Sequence, residues 1–215
     1  MVTAVIFDMD GLMFDTERLA RDAWRRAMAD YGYALPDHVF LRGVGRTLPE
    51  TCAVFVEALG AGLPIDDVAE AKERYMREML RSGPPFKPGL STLLHGLAEL
   101  ALALAVASST ARTEVERRLV QVSVRHYFTA VVGGDEVATG KPSPDLFLLA
   151  AERLGVLPES CVVLEDSGPG VVAATAAGMT AVLVPDLVEP SPEVHALAAA
   201  VVPSLAEVEA VIRGC

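Results

Sequence analysis

Val5-Ile6-Phe7-Asp8-Met9-Asp10-Gly11, close to the amino terminus, is the stretch from which the fold can be read. An apolar run of this length, bounded by glycine, reads as a buried strand. In open parallel sheets ligands gather just beyond the carboxyl ends of such strands. Side chains alternate along extended chain, so Asp8 and Asp10 can point the same way, with Gly11 letting the backbone turn beside them. Two carboxylates that close repel, and one keeps a proton unless a cation intervenes. A nucleophile paired with an acid/base, a metal site, or both would suit them. Aspartate and glycine after a strand are also ordinary turn residues, so the pair alone decides nothing.

Beyond this strand the chain changes character twice. From Thr16 to about Ser82 it is charged and amphipathic. Leu19, Ala23, Trp24, Ala27 and Tyr31 form one helical stripe, a second run covers Leu48 to Leu59, and a third covers Asp66 to Leu80 with Val68, Tyr75, Met76 and Met79 on one side. This predicts a subdomain of roughly four helices. Ser82-Gly83-Pro84-Pro85-Phe86-Lys87-Pro88-Gly89 then reads as a linker. From there strands alternate with helices: strands at Leu102–Ala107, Ala130–Val132, Cys161–Leu164 and Ala181–Val184, and a last strand–helix pair within Ala200–Ile212. That alternation predicts an α/β fold with a doubly wound, mostly parallel sheet. The first strand belongs to the sheet, so the helical part is an insertion. The expected units are residues 1–14 with 87–215, and 15–86.

The 215 residues suit one large domain carrying a smaller insert, and 52% hydrophobic content supports a sizeable core. A net charge of −11, from 18 basic and 29 acidic residues, argues against nucleic-acid or anionic-membrane partners. Three widely spaced cysteines give neither a disulfide framework nor zinc spacing, and no signal-peptide pattern or bilayer-spanning run stands out. A cytoplasmic protein is the expectation.

Three more segments place polar groups where such a sheet would collect them. Ser108-Ser109-Thr110 follows one apolar strand and Glu165-Asp166-Ser167-Gly168 another, while Gly140-Lys141-Pro142 precedes a helix. Each has an everyday explanation as a cap, a turn or surface charge. Together they would bring Asp8, Asp10, Glu165, Asp166, Lys141 and Ser108 to one edge. Four carboxylates with one lysine call for a divalent cation, and all-oxygen ligands favour a hard ion such as Mg2+. His38, His95, His126 and His195 show no ligand spacing and read as structural or surface residues.

Asp8-Met9-Asp10-Gly11, Ser108, Gly140-Lys141-Pro142 and Glu165-Asp166, in that order, resemble the four motifs of the haloacid dehalogenase superfamily of phosphotransferases. The likeness extends over nearly the whole chain, and the insertion resembles that family's C1-type helical cap. Phe7 to Glu17 and Gly140 to Asp145 are similar to the branch of β-phosphoglucomutase and sugar-phosphate phosphatases. The resemblance implies a Rossmann-like core and transfer of phosphate from a small phosphorylated metabolite. It implies Asp8 as nucleophile, Asp10 as acid/base, and Ser108, Lys141, Ser109 and the loop at Gly11 as phosphate holders. It implies Mg2+ on Asp8, Asp10 through its backbone carbonyl, Glu165 and Asp166, with Arg46 of the cap gripping a distal phosphate. Where the mutase branch has a cap histidine this chain has Ala20, which favours a phosphatase over a mutase. Lys72, the cap's lysine, reads as solvated. A monomer or small homo-oligomer is expected.

Overall fold

The computed structural model describes residues 1–214. Six strands form one parallel sheet: β1 (Ala4–Phe7), β2 (Ala103–Ser108), β3 (Ala130–Gly133), β4 (Cys161–Glu165), β5 (Thr180–Leu183) and β6 (Ala200–Val201), ordered β3-β2-β1-β4-β5-β6. β1 lies between β2 and β4, in register Phe7↔Val106 and Phe7↔Leu164. The order reverses there, and such a switch point opens the crevice in which doubly wound sheets bind ligands.

The two faces follow from strand alternation. Val5, Phe7, Val106, Val162, Leu164 and Val182 point one way, onto α5 (Leu90–Glu99), α6 (Arg112–Gln121) and the last helix (Val208–Gly214). Ala4, Ile6, Ala105, Val163, Ala181 and Leu183 point the other way, onto α7 (Asp145–Leu154) and α8 (Gly168–Ala176). Both faces are covered, as an all-parallel sheet requires. At roughly 25 cal/mol per Å² the many fully buried aliphatic side chains supply the main favourable term.

The chain divides into two compact units: residues 15–84, and Met1–Phe14 together with the chain from Pro85 onward. The second boundary falls two residues before the one read from sequence. Phe86 stacks on Phe14 at 6.0 Å, bridges to it antiparallel, and Lys87 N–H donates to Met13 O. Pro85 and Phe86 thereby join the sheet-containing unit.

The helical unit holds α1 (Thr16–Asp30), α2 (Asp37–Leu41), α3 (Leu48–Leu59) and α4 (Ile65–Met79). Ala23, Trp24, Ala27 and Met28 bury one face of α1, whereas Tyr31 lies past the helix end and is 41% exposed, so it leaves the expected stripe. Trp24 meets Phe55 edge-on at 5.0 Å. α3 starts at a capping box, Thr47 with Glu50, which satisfies two amide donors otherwise left open. The element bounds elsewhere differ from the sequence reading by at most two residues, as fraying ends do. One difference has chemical weight: Ser108 closes β2 instead of following it, so the ladder itself holds that hydroxyl.

Candidate active site

Asp8 sits one residue beyond β1, its N–H continuing the ladder to Leu164 O at 3.0 Å. Glu165 ends the neighbouring β4 and is completely buried. Lys141 reaches the two from the loop before α7. Its Nζ donates to Asp8 Oδ1 and to Glu165 Oε1, and lies 5.0 Å from the Phe147 ring centre. Glu165 Oε2 accepts from the amides of Asp166 and Ser167, at 3.0 Å each, and from Ser167 Oγ at 2.9 Å. Glu165 Oε2 thus has three donors and Oε1 has Lys141, which is held in one place.

Carboxylate oxygens of Asp8, Glu165 and Asp166 all lie within 4.8 Å of one another. Two buried acids and the half-buried Asp166 gather around one ammonium, which bonds the first two. Burial pushes the Asp8 carboxyl up to about 8, with Glu165 adding to the rise and Lys141 opposing it. Burial likewise raises Asp166, helped by the charges of Glu165 and Asp8. Burial alone would work against the charge on Lys141, but the two carboxylates outweigh it and hold the ammonium above its usual range. A second cation would complete the charge balance of this donor set. Its all-oxygen chemistry suits a hard divalent ion, and it contains neither histidine nor cysteine.

Ser108 is 2% exposed, and its Oγ accepts from Thr110 N–H at 3.1 Å, leaving the hydroxyl proton to donate elsewhere. Asp10 is half-buried and turned to partners that sequence reasoning missed: Thr110 Oγ1 donates to its Oδ2 at 2.8 Å and Arg118 Nη1 to its Oδ1 at 2.6 Å. Thr110 belonged to a recognised hydroxyl cluster. Arg118 lies mid-helix beside Glu114 at i−4, a pattern indistinguishable in sequence from a solvated pair. Ser109 is exposed. Gly11 does not offer its amide in the manner expected, because that N–H donates to Phe14 O at 3.0 Å. Its lack of a side chain is what the site uses, since a Cβ there would stand 2.2 Å from Asp166 Oδ2.

Within the helical unit a cavity of about 200 Å³ is lined by Glu17, Ala20, Trp24, Arg46, Lys72 and Glu73, among others. Arg46 is exposed, with Nε donating to Arg42 O at 2.8 Å. Lys72 departs from the expectation of a solvated side chain. It is 15% exposed, lies 5.7 Å from the Trp24 ring centre and pairs with Glu73. Trp24 offers its ring face to a cation, which shelters the lysine stem. Arg46 and Lys72 thus flank one cavity.

The sequence model of the haloacid dehalogenase-like hydrolases matches residues 5–184. The chain is 38% identical over 180 residues to a phosphorylated carbohydrates phosphatase of Thermotoga maritima, covering 82% of each chain. It is 37% identical over 180 residues to a fructose-1-phosphate phosphatase of Escherichia coli, covering 83% of this chain and 94% of that one. Among solved structures, a HAD family hydrolase of Deinococcus radiodurans with bound phosphate and sodium superposes with a TM-score of 0.85 at 28% identity, covering 99% and 96%. Among the described residues no helix is long and apolar enough to cross a membrane.

Proposed function

Because the chain belongs to the haloacid dehalogenase-like hydrolases and is a phosphoric monoester hydrolase, we propose that it hydrolyses a small phosphate monoester, a sugar phosphate, with Mg2+ and through an aspartyl phosphate on Asp8. The observation that carries this reading is the buried triangle of Asp8, Lys141 and Glu165 with Asp166 at its edge. It supports the reading because a buried carboxylate, a fixed positive charge and an oxygen-rich donor set meet at the end of the central strand.

The division of labour follows from each group's surroundings. Asp8 attacks phosphorus in line as the ester oxygen departs. Asp10 gives that oxygen a proton, then takes one from the water that cleaves the aspartyl phosphate. Ser108, Ser109 and Lys141 hold the phosphoryl oxygens, and Lys141 separates charges that would otherwise repel. The Asp8, Glu165 and Asp166 carboxylates, with the Asp10 carbonyl, would hold Mg2+, which neutralises charge on the phosphoryl group when bound. Arg46 and Lys72 give the cap's cavity two cations for a substrate's polar or anionic groups.

A phosphosugar mutase is the second reading, favoured by Arg46 beside that cavity. Ala20 on the same wall supports hydrolysis, because no histidine stands where the mutase branch keeps one. The deciding experiment is a phosphate-release screen over sugar and other small monophosphates with Mg2+, alongside Asp8→Asn. Release that vanishes in Asp8→Asn supports the proposal. Hexose-phosphate isomerisation outrunning release would replace hydrolysis with the mutase, and undiminished turnover by Asp8→Asn would remove the nucleophile.

A further inference from the structure

The acid/base carboxylate is gripped at both oxygens. Thr110, between β2 and α6, donates to Asp10 Oδ2, and Arg118, two turns along α6, donates to Asp10 Oδ1. The Arg118 side chain is 12% exposed, and its Nε is itself held by Glu114 Oε1 at 2.7 Å. Glu114 is also bonded by Arg117, which above all keeps its carboxyl low, at about 2, so it stays ionised at any working pH. The segment bearing these groups is pinned at its base. Arg112 N–H donates to Asp135 Oδ1 at 2.8 Å, and Gly134 N–H donates to Thr110 O at 3.0 Å. A Cβ at Gly133 would stand 2.1 Å from Arg112 N, so the close approach is built into the backbone.

We infer that Thr110 and Arg118 are positioning residues for the Asp10 carboxylate, fixing its rotamer and assigning the transferred proton to Oδ2. The inference rests on the phosphatase reading above. Its warrant is the donor inventory. A guanidinium has donors and no acceptor, so an oxygen bonded to it cannot also carry a proton towards it. A proton on the remaining lone pair of Oδ1 would weaken it as the acceptor of this charge-assisted bond, so Oδ1 is the favoured acceptor while the Arg118 contact holds. A threonine hydroxyl donates or accepts as required, so it can stay with Oδ2 whether or not that oxygen is protonated. As the Asp8–phosphorus bond forms and the phosphorus–ester oxygen bond breaks, the Oδ2 proton passes to the ester oxygen, which leaves as an alcohol. Arg118 then faces the ionised carboxylate that remains.

An ion pair that merely braces α6 would show the same contacts, so the test must read proton donation itself. An alkyl phosphate needs its leaving oxygen protonated, whereas p-nitrophenolate leaves well unprotonated. kcat/KM covers the steps up to departure of the leaving group. In Arg118→Met, kcat/KM for a sugar or alkyl phosphate should fall about ten- to a hundredfold, part of what a positioned acid supplies. For p-nitrophenyl phosphate it should change by no more than about twofold on the same argument. Thr110→Val should shift the ratio of the two in the same direction, and Thr110→Ser should restore it. The ratio is insensitive to a reduced folded fraction, because both substrates report on the same active molecules. An unchanged ratio in Arg118→Met and Thr110→Val, with wild-type turnover intact, overturns the clamp and leaves the phosphatase reading standing. No phosphate release from any ester by the wild type overturns both.

Discussion

A β-carbon at Gly11 would stand 2.2 Å from Asp166 Oδ2, well inside van der Waals contact. Gly11 also has φ +88°, a conformation that other residues adopt at a cost of about 1–2 kcal/mol. The turn after the nucleophile can therefore close only over a glycine. Gly11→Ala should displace the Asp166 carboxylate, raise the Mg2+ concentration needed for half-maximal phosphate release at least tenfold (about 1.4 kcal/mol of binding), and lower stability by about 1–2 kcal/mol. A Mg2+ titration of activity and a urea melt read the two effects separately.

Lys141 is shared by two carboxylates that, among the described residues, pair with no other cation. Lys141→Met would leave Asp8 and Glu165 facing each other, at a cost of about 3–5 kcal/mol where both are ionised. The sign with pH follows from protonation: at low pH the acids become neutral and the penalty shrinks. Urea melts of wild type and variant at pH 5 and pH 8 should show the gap widening with pH. Phosphate release by the variant should be lost at both.

The Asp8 carboxyl, raised to about 8, sets a direction for metal-free stability. The unfolded chain gives up this proton near the ordinary aspartate value of 3.8, whereas the folded chain keeps it to about 8. Between those values the folded state binds more protons, so the contribution to stability is full below pH 4 and is lost as pH climbs to about 8. Asp8→Asn should flatten that slope. Mg2+ binding should release protons over the same window, so its affinity should strengthen from pH 6 to pH 8 and then level off. Titration calorimetry in buffers of different ionisation enthalpy measures both.

The cap's two cations should separate substrates. Arg46→Ala and Lys72→Ala should raise KM for a preferred sugar phosphate by about ten- to a hundredfold, the loss of one charge-assisted contact at about 1.5–3 kcal/mol. kcat for p-nitrophenyl phosphate, which lacks the sugar, should barely move. A KM increase shared equally by both esters would remove the cap's cavity from substrate selection.

The sheet was legible because each buried strand of a parallel sheet is a near-continuous apolar run, and Ala4–Phe7, Ala103–Ser108 and Cys161–Glu165 stand out as such. Asp8 and Glu165 were legible because strand ends project to one edge, whereas Lys141, on the loop before α7, was legible through the likeness of Gly140-Lys141-Pro142 to a family motif. Arg118 was not. A Glu-x-x-x-Arg pair reads as a wet helix face, and only the packing of α6 beside the Asp10 turn makes it part of the site. Lys72 was misread for a related reason, since its neighbour Trp24 is on α1, with two helices between them in sequence. The Gly11 amide was misassigned because the turn from Met9 to Phe14 consumes it internally, a hydrogen bond that motif spacing does not reveal.

β1 is flanked on both sides, by β2 and by β4, and its four residues are wholly shielded from solvent. Amides in such a strand open to deuterium only when the whole unit comes apart, whereas those of edge strands and loops exchange through smaller fluctuations. The reactive carboxylate is thus mounted on the slowest-exchanging part of the molecule, and breathing of the sheet's outer strands passes it by. Whatever motion turnover requires must be borne by other segments while Asp8 keeps its place.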